Sequence, residues 1–467
     1  MSDTNLVWLV FDSIRGDRTT LGGHHRDTTP TLARLGSGDD AVGTTCLAHA
    51  IWSQPSVGSM LTGTPPSRHG AGLHNDRLPR QLPTAAERLA DAGYRTSGLS
   101  TNPFFSEATG CDRGFDEFDY LEVGDMVSRV GLSGLLRFGL NLRRFSGGFS
   151  PTKRKHSPDF LFNEIVTDRL ATLAAGEEPF FFFGHYHGVH HPYYPAPAYQ
   201  SRFFDDRRTA REAAEFAFEH TTDVYSEIGA GCPYSEDEWE RIRRIYDAQV
   251  AQTDGLIDRL VRSLDAHGLD ENTILVITAD HGDLLGEHNL VSHKLVPHDA
   301  LLRVPLVIRG APSLVDVDYT NVQHADVMQA LLAELGADTE GMSGRSLTDG
   351  GPSFAVAQRG AQTRERTLTK IRETVPEFDH PAAQAGLVSV LRTADWKYSR
   401  GSDSAVLYRL PDESTDLAST EPDRVATFDE RLEAWLTEHG QPEYTAESAD
   451  FEDGVKDRLS DLGYVTG

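Results

Sequence analysis

The chain has 467 residues, 39% hydrophobic and 25% charged, which leaves room for a large core and excludes a disordered protein. Its formal net charge of −27 argues against nucleic-acid binding, because affinity for phosphate comes from Lys and Arg. So large an acid excess suits a medium of high ionic strength that screens self-repulsion, such as the cytoplasm of a halophile. Cys46, Cys111 and Cys232 are an odd, widely spaced set, which argues against a disulfide framework or a thiolate zinc site.

The first element, "NLVWLVF", is a continuous apolar run that stops at Asp12 and reads as a central parallel strand. It has no basic region before it and is too short to span a bilayer, so it is not a leader, and a cytoplasmic location is expected. "AIWSQPSVGSMLTG" follows, with a helix opening near Ser53; Pro55 suits its first turn. Its amino terminus would face a bound anion, and Ser56 and Ser59 fall inside it as cap or packing groups. "LPTAAERLADAG" is a helix closed by Gly93, and "YRTSGLS" is a strand. Residues 129–155 carry seven basic side chains, Arg129, Arg137, Arg143, Arg144, Lys153, Arg154 and Lys155, and no acid. Interleaved with leucines, this island could dock on an anionic lipid surface, guide an anionic substrate or pack on the acidic body.

"DFLFNEIVTDRLATLAA" and the long segment 236–268 have apolar residues at helical spacing, and "PFFFFGHYH" lies between them as a strand. "NTILVITADHG" is a strand ending on Asp280 and His281; "VPLVIRG" is a further strand, and "HADVMQALLAELG" a helix. Strand and helix in alternation make an α/β sandwich with a mostly parallel sheet, whose ligands sit outside the carboxyl ends of the strands. Beyond Pro352 short strands with turns at "TAD" and "GSDS" give way to a helix. Two domains are expected, a catalytic one over 1–352 and a C-terminal subdomain over 353–467 with a small antiparallel sheet and a helix.

An adjacent carboxylate and imidazole at one strand end, with Asp12 at another, can converge on a divalent cation. Oxygen-rich ligation with one imidazole suits calcium first, with magnesium, manganese or zinc as alternatives. The ordered set "VFDSIRGD", "SQPSVGSMLTGTPPSRHG", "GYRTSGLS" with "GFDEF", "HYHGVHHPY", "TADHGDLLGEHNLVSHK" with "RVPLVIRG", "QHADVMQALLAELG" and "LRTADWKYSRGSDSAVLYRL" resembles the sulfatase family of the alkaline-phosphatase superfamily. The resemblance implies an alkaline-phosphatase-like sandwich and one divalent cation held by Asp12, Asp280, His281 and the Ser53 side chain. It further implies that His190 meets the ester or leaving oxygen as acid or hydrogen-bond donor, and that Lys294 neutralises the transferred group. His185, His187 and His191 read as packing or supporting residues.

This chain departs from the family pattern at several positions. Ser53 stands where the family carries a cysteine oxidised to formylglycine. Val57 replaces the arginine of the conversion signal, which argues against modification of Ser53. Ser13 replaces the second carboxylate of the first strand, and Asn102 is the one polar stand-in for a Lys and His after the "GYRT" strand. The resemblance thus implies a metal-dependent hydrolase of sulfate esters acting on an anionic substrate through Ser53. A phosphodiesterase or phosphoglycerol-type transferase with unmodified serine, and a catalytically weak binding protein, are the alternatives.

Overall fold

The computed structural model describes residues 3–347, 351–440 and 449. Seven strands form the large sheet: β1 (Asn5–Phe11), β2 (Ala41–Leu47), β3 (Arg95–Ser100), β4 (Glu117–Tyr120), β5 (Phe180–Tyr186), β6 (Thr273–Thr278) and, past a two-stranded hairpin of β7 (Leu284–Leu285) and β8 (Val291–Ser292), β9 (Arg303–Arg309). Their spatial order is β2-β9-β6-β1-β5-β3-β4. The apolar runs of β1, β5 and β6 are buried along their whole length, as central strands covered on both faces must be. β1 pairs in parallel with β5 on one side and β6 on the other, so Asp12, the segment after Tyr186 and Asp280 emerge side by side at one edge. The long helices named above lie at Asp159–Ala174, Glu236–Ala266 and His324–Glu334, and Gly93 has the positive φ of a residue just past a helix end.

One strand runs against the other six, as a mostly parallel sheet allows. β9 is antiparallel to both β6 and β2. A parallel neighbour needs a crossover that returns the chain to the opposite edge, usually by a helix. Between β6 and β9 there is only the hairpin, short helical turns and loop. The chain therefore stays at the carboxyl edge of β6, lays Asp280 to Lys294 there, and re-enters the sheet from that same edge.

The second sheet is antiparallel, with order β10 (Ala355–Arg359), β11 (Val388–Arg392), β12 (Trp396–Arg400) and β13 (Ala405–Arg409). Its period of two divides its side chains between two cores. Ala355, Ala357, Val388 and Val390 join the core of the large sheet. Val356, Leu391, Tyr398 and Leu407 pack with Phe428 and Leu432 of the helix Pro422–His439. Each fully buried Leu or Val contributes about 1.5–3 kcal/mol to this docking.

Candidate active site

Ser53 is the first residue of the helix Ser53–Thr62, and extended Trp52 occupies the cap position. The Ser53 hydroxyl is therefore not used as a cap. It donates to Asp12 Oδ2 at 3.3 Å and lies 3.4 Å from His281 Nε2. His281 Nε2 is in turn 3.6 Å from Asp12 Oδ1 and 3.7 Å from Asp280 Oδ2. Three distant stretches of sequence thus meet within hydrogen-bond range at the ends of β1 and β6 and the start of a helix. Ser56 Oγ turns away to the Ala50 carbonyl, and Ser59 Oγ meets His69 Nε2.

The loop after β5 is pressed against the same point. Gly188, at φ 62°, approaches so closely that a Cβ there would lie 2.5 Å from the Asp12 carbonyl oxygen. Glycine alone meets both the left-handed backbone and the close approach. Val189 N–H then donates to that carbonyl. Ser13 also has a left-handed φ, 65°. Its N–H donates to Asp280 Oδ1 at 3.2 Å and its hydroxyl to Asp12 Oδ1 at 2.6 Å. The residue that replaces a carboxylate is thus a clamp on the two carboxylates that remain. Asn102 Nδ2 donates to Asp12 Oδ2, and His185 Nε2 to Asp280 Oδ2, both at 3.2 Å.

Charge is unevenly shared among these groups. Burial, then the neighbouring Asp280, raises Asp12. Burial works in the same upward sense on Asp280, but His281 and the His185 hydrogen bond overcome it and hold Asp280 low. Against the cost of burial, Asp280 and Asp12 raise His281. The donor set fits a divalent cation. His281 Nδ1–H donates to the Gly282 carbonyl at 2.8 Å, which points Nε2 at Asp12, Ser53 and Asp280, where it could ligate an ion once unprotonated. The two carboxylates lie against imidazoles rather than against a guanidinium. Ligand atoms of Asp12, His185 and Asp280 also lie within 4.8 Å of one another. Asp12, Asp280, His281 and Ser53 could hold the ion, with His185 behind Asp280.

His190 and Lys294 line the other side. The hairpin β7–β8 folds His293 and Lys294 back over the site, and the His293 ring lies 4.4 Å from that of His281 and 5.2 Å from that of His190. Burial, then Lys294, pulls His190 down to about 3. Its Nδ1–H donates to the His191 carbonyl at 2.8 Å. That contact leaves Nε2 as the ring nitrogen open to a ligand. Burial pulls Lys294 down to about 8, opposed by Asp283 and Asp12. His190, His191 and His293 also come together. Burial and then the charge of a neighbour, Lys294 among them, lower all three, so a second cation there would meet the Lys294 ammonium wherever that group is protonated. Asp283 is the residue the motif reading passed over, although it closes "TADHGD". It accepts from Tyr193 OH at 2.5 Å and from His293 Nδ1 at 2.6 Å and fixes the ring of His293. Asp12, Ser53, His190 and Lys294 keep 3–5% exposure, whereas Asp280, His281 and His185 have none.

The Sulfatase family model matches residues 4–337. Arylsulfatase K of Bos taurus is 30% identical over 229 residues, 46% of this chain and 40% of that protein. The match therefore spans about two fifths of the length of that curated relative. Among solved structures, the phosphonate monoester hydrolase of Agrobacterium radiobacter superposes with a TM-score of 0.70 at 20% identity, covering 93% of this chain and 96% of that one. A protein solved in complex with its substrate D-glucosamine-2-N,6-O-disulfate superposes with a TM-score of 0.64 at 18% identity, covering 95% and 100%. These last two establish a shared fold, and with the family match over the large sheet and its site the chain belongs to the sulfatase family.

Proposed function

We propose that this chain is a metal-dependent hydrolase of sulfate esters that uses the unmodified Ser53 hydroxyl as nucleophile. The observation that carries the reading is the position of Ser53 Oγ, 3.3 Å from Asp12 Oδ2 and 3.4 Å from His281 Nε2, at the first residue of a buried helix. Asp12, Asp280, His281 and Ser53 would hold the cation, calcium being the first choice for so oxygen-rich a set. A divalent cation bound there supplies charge neutralisation for the ester oxygens and lowers the pKa of the serine hydroxyl.

The chain's own groups do the rest. Lys294 and the amino terminus of the helix at Ser53 bind the anionic oxygens. Ser53 Oγ attacks sulfur, forming an O–S bond as the bond to the leaving oxygen breaks. The proton lost by Ser53 is taken up at His190 Nε2 and passed to that leaving oxygen. Burial first, then Lys294, disfavours the charged form of His190, which suits it to take up a proton only as far as the relay needs, and a bound anion beside it offsets the Lys294 part. Water then cleaves the serine ester.

A phosphate or phosphonate ester is the second reading. Val57 stands in place of the conversion signal, so Ser53 stays an alcohol whose ester must be opened at the central atom, a step that phosphorus tolerates better than sulfur. The similar protein solved with a disulfated glucosamine favours the first reading, and the phosphonate monoester hydrolase the second. Turnover of aryl sulfate, aryl phosphate and aryl phosphonate substrates, with and without EDTA, tests both. Activity of the metal-loaded chain on none of them, or undiminished activity of Ser53→Ala, overturns the proposal. Intact mass of the peptide holding Ser53 reports any conversion to an aldehyde as a loss of about two hydrogens.

A further inference from the structure

Exposed large apolar side chains are confined almost wholly to one place. Of seven such residues among the described ones, Val123, Val127, Leu132, Leu136, Leu140 and Phe149 fall between positions 123 and 149; Leu387 is the exception. Leu132, Leu136 and Leu140 are 88%, 67% and 80% exposed and stand four residues apart on the helix Gly131–Phe145. At 100° per residue they make one stripe, and Arg143 continues it at the carboxyl end. The opposite face is occupied: Phe138 and Phe145 pack on Phe160 of the helix Asp159–Ala174. The stripe is therefore a second apolar face that the fold does not use. Phe149, 88% exposed, extends the same surface beyond the helix.

The charge around the stripe is as unusual as its exposure. In a chain of net charge −27, residues 129–155 hold seven cations and no acid. Arg129, Arg137 and Lys155 are paired with Asp119, Glu164 and Glu215. Among the described residues Arg143, Arg144, Lys153 and Arg154 form no ion pair. Beside them lies a cavity of about 980 Å³ lined by Arg143, Lys155, Arg207 and Arg211, with Glu215 and the Gly147–Gly148 turn. Arginines and a lysine around a recess next to exposed leucines are suited to a phosphate headgroup with its acyl chains alongside.

We propose that the helix Gly131–Phe145, with Phe149 and the adjoining basic cavity, docks on an anionic lipid bilayer surface. The leucines enter the boundary of the acyl region while Arg143, Arg144, Lys153 and Arg154 meet the headgroups. The helix lies on the membrane and does not cross it; no helix among the described residues is long and apolar enough to span one. A second copy of the chain is a poorer partner, because a symmetric contact of this island with itself brings no carboxylate to its four free cations. The acidic remainder does not prevent docking. At ~0.1 M salt the screening length is about 10 Å, so the groups in contact dominate over distant repulsion.

Co-sedimentation of the full chain with vesicles of mixed phosphatidylglycerol and phosphatidylcholine, against vesicles of phosphatidylcholine alone, tests this. Binding to the anionic vesicles should exceed binding to the neutral ones by about tenfold or more. Leu136→Ser with Leu140→Ser should cost at least about tenfold in binding. Arg143→Gln with Arg144→Gln should cost about fivefold per arginine and flatten the dependence on salt. Both pairs are exposed, so an unchanged thermal melt shows that the fold is intact, and turnover of a soluble ester should not change. Three results would overturn the proposal: no binding to anionic vesicles by the unaltered chain, equal binding by both variants, or a dimer in analytical ultracentrifugation that the leucine variant converts to monomer without any vesicle binding.

Discussion

Asp12 is a buried carboxylate and Asp299 a half-buried one, and their surroundings follow opposite rules. Asp299 accepts from Arg392 Nε at 2.9 Å and lies 3.4 Å from Lys397 Nζ, which also binds Glu413 at 2.5 Å. Although burial opposes it, Lys397 and then Arg392 hold Asp299 down at about 2. Two acids and two bases close on one another there and tie the small sheet to the segment after the site loop. Around Asp12 the nearest partners are a second carboxylate and imidazoles whose charge is optional, and burial and Asp280 raise it. A cluster that neutralises itself serves structure. A cluster that leaves its carboxylates short of positive charge could take up a cation, and that shortfall is what the proposed function rests on at the strand ends.

The largest effect expected is on chemistry without stability. Ser53→Ala should lower kcat by at least about 10³-fold on whichever ester is turned over, while the melting temperature stays within a degree or so. Lys397→Met should do the reverse. It leaves Asp299 and the buried Glu413 with too little positive charge and should cost about 3–5 kcal/mol in denaturant unfolding, with kcat of the folded fraction retained. Stability loss in the first variant or its absence in the second would erase the contrast between the clusters.

Metal removal sharpens the comparison next. A divalent cation at about a hundred times its dissociation constant should add about 2.7 kcal/mol to the stability of the unaltered chain, and EDTA should remove it. Asp12→Asn should lose that increment and yet melt higher than the unaltered chain in EDTA, because the repulsion with Asp280 is relieved. Asp299→Asn should melt lower in both conditions. A pH profile gives the smallest effect. Lys294 titrates at about 8 in the free chain, so it is an ammonium below that pH and neutral above it. On the proposed function its ammonium binds the anionic oxygens, so kcat/KM should fall as pH rises through about 8, with a slope of one proton, and Lys294→Met should abolish that limb. A profile flat to pH 10 would remove Lys294 from the reaction.

Much of the fold was legible in the chain itself. Uninterrupted apolar runs ending in a polar residue marked β1, β5 and β6, because a strand covered on both faces has no polar positions until it leaves the sheet. The turns at "TAD" and "GSDS" separated β11, β12 and β13 because short polar segments between alternating runs leave little choice but hairpins. β9 was equally visible as a strand, but its direction was not, since direction depends on which edge the preceding loop returns to. Asp283 escaped notice because its role lies in two contacts, with Tyr193 and His293, that no spacing reveals. Which ring nitrogen of His190 is tied up, Nδ1 on the His191 carbonyl, is a matter of ring orientation that no motif reveals.

By itself the sequence determined the element types, the family and the inventory of groups for the chemistry, since these follow from local hydrophobic period and motif order. The motif order already implied that residues 12, 53, 280 and 281 share one point; tertiary structure alone decided that Ser13 clamps the carboxylates and that three leucines of the helix Gly131–Phe145 face outward. The reason is the same in each case. Periodicity fixes which residues share a face of one element, whereas distance, burial and protonation depend on which other elements pack against that face.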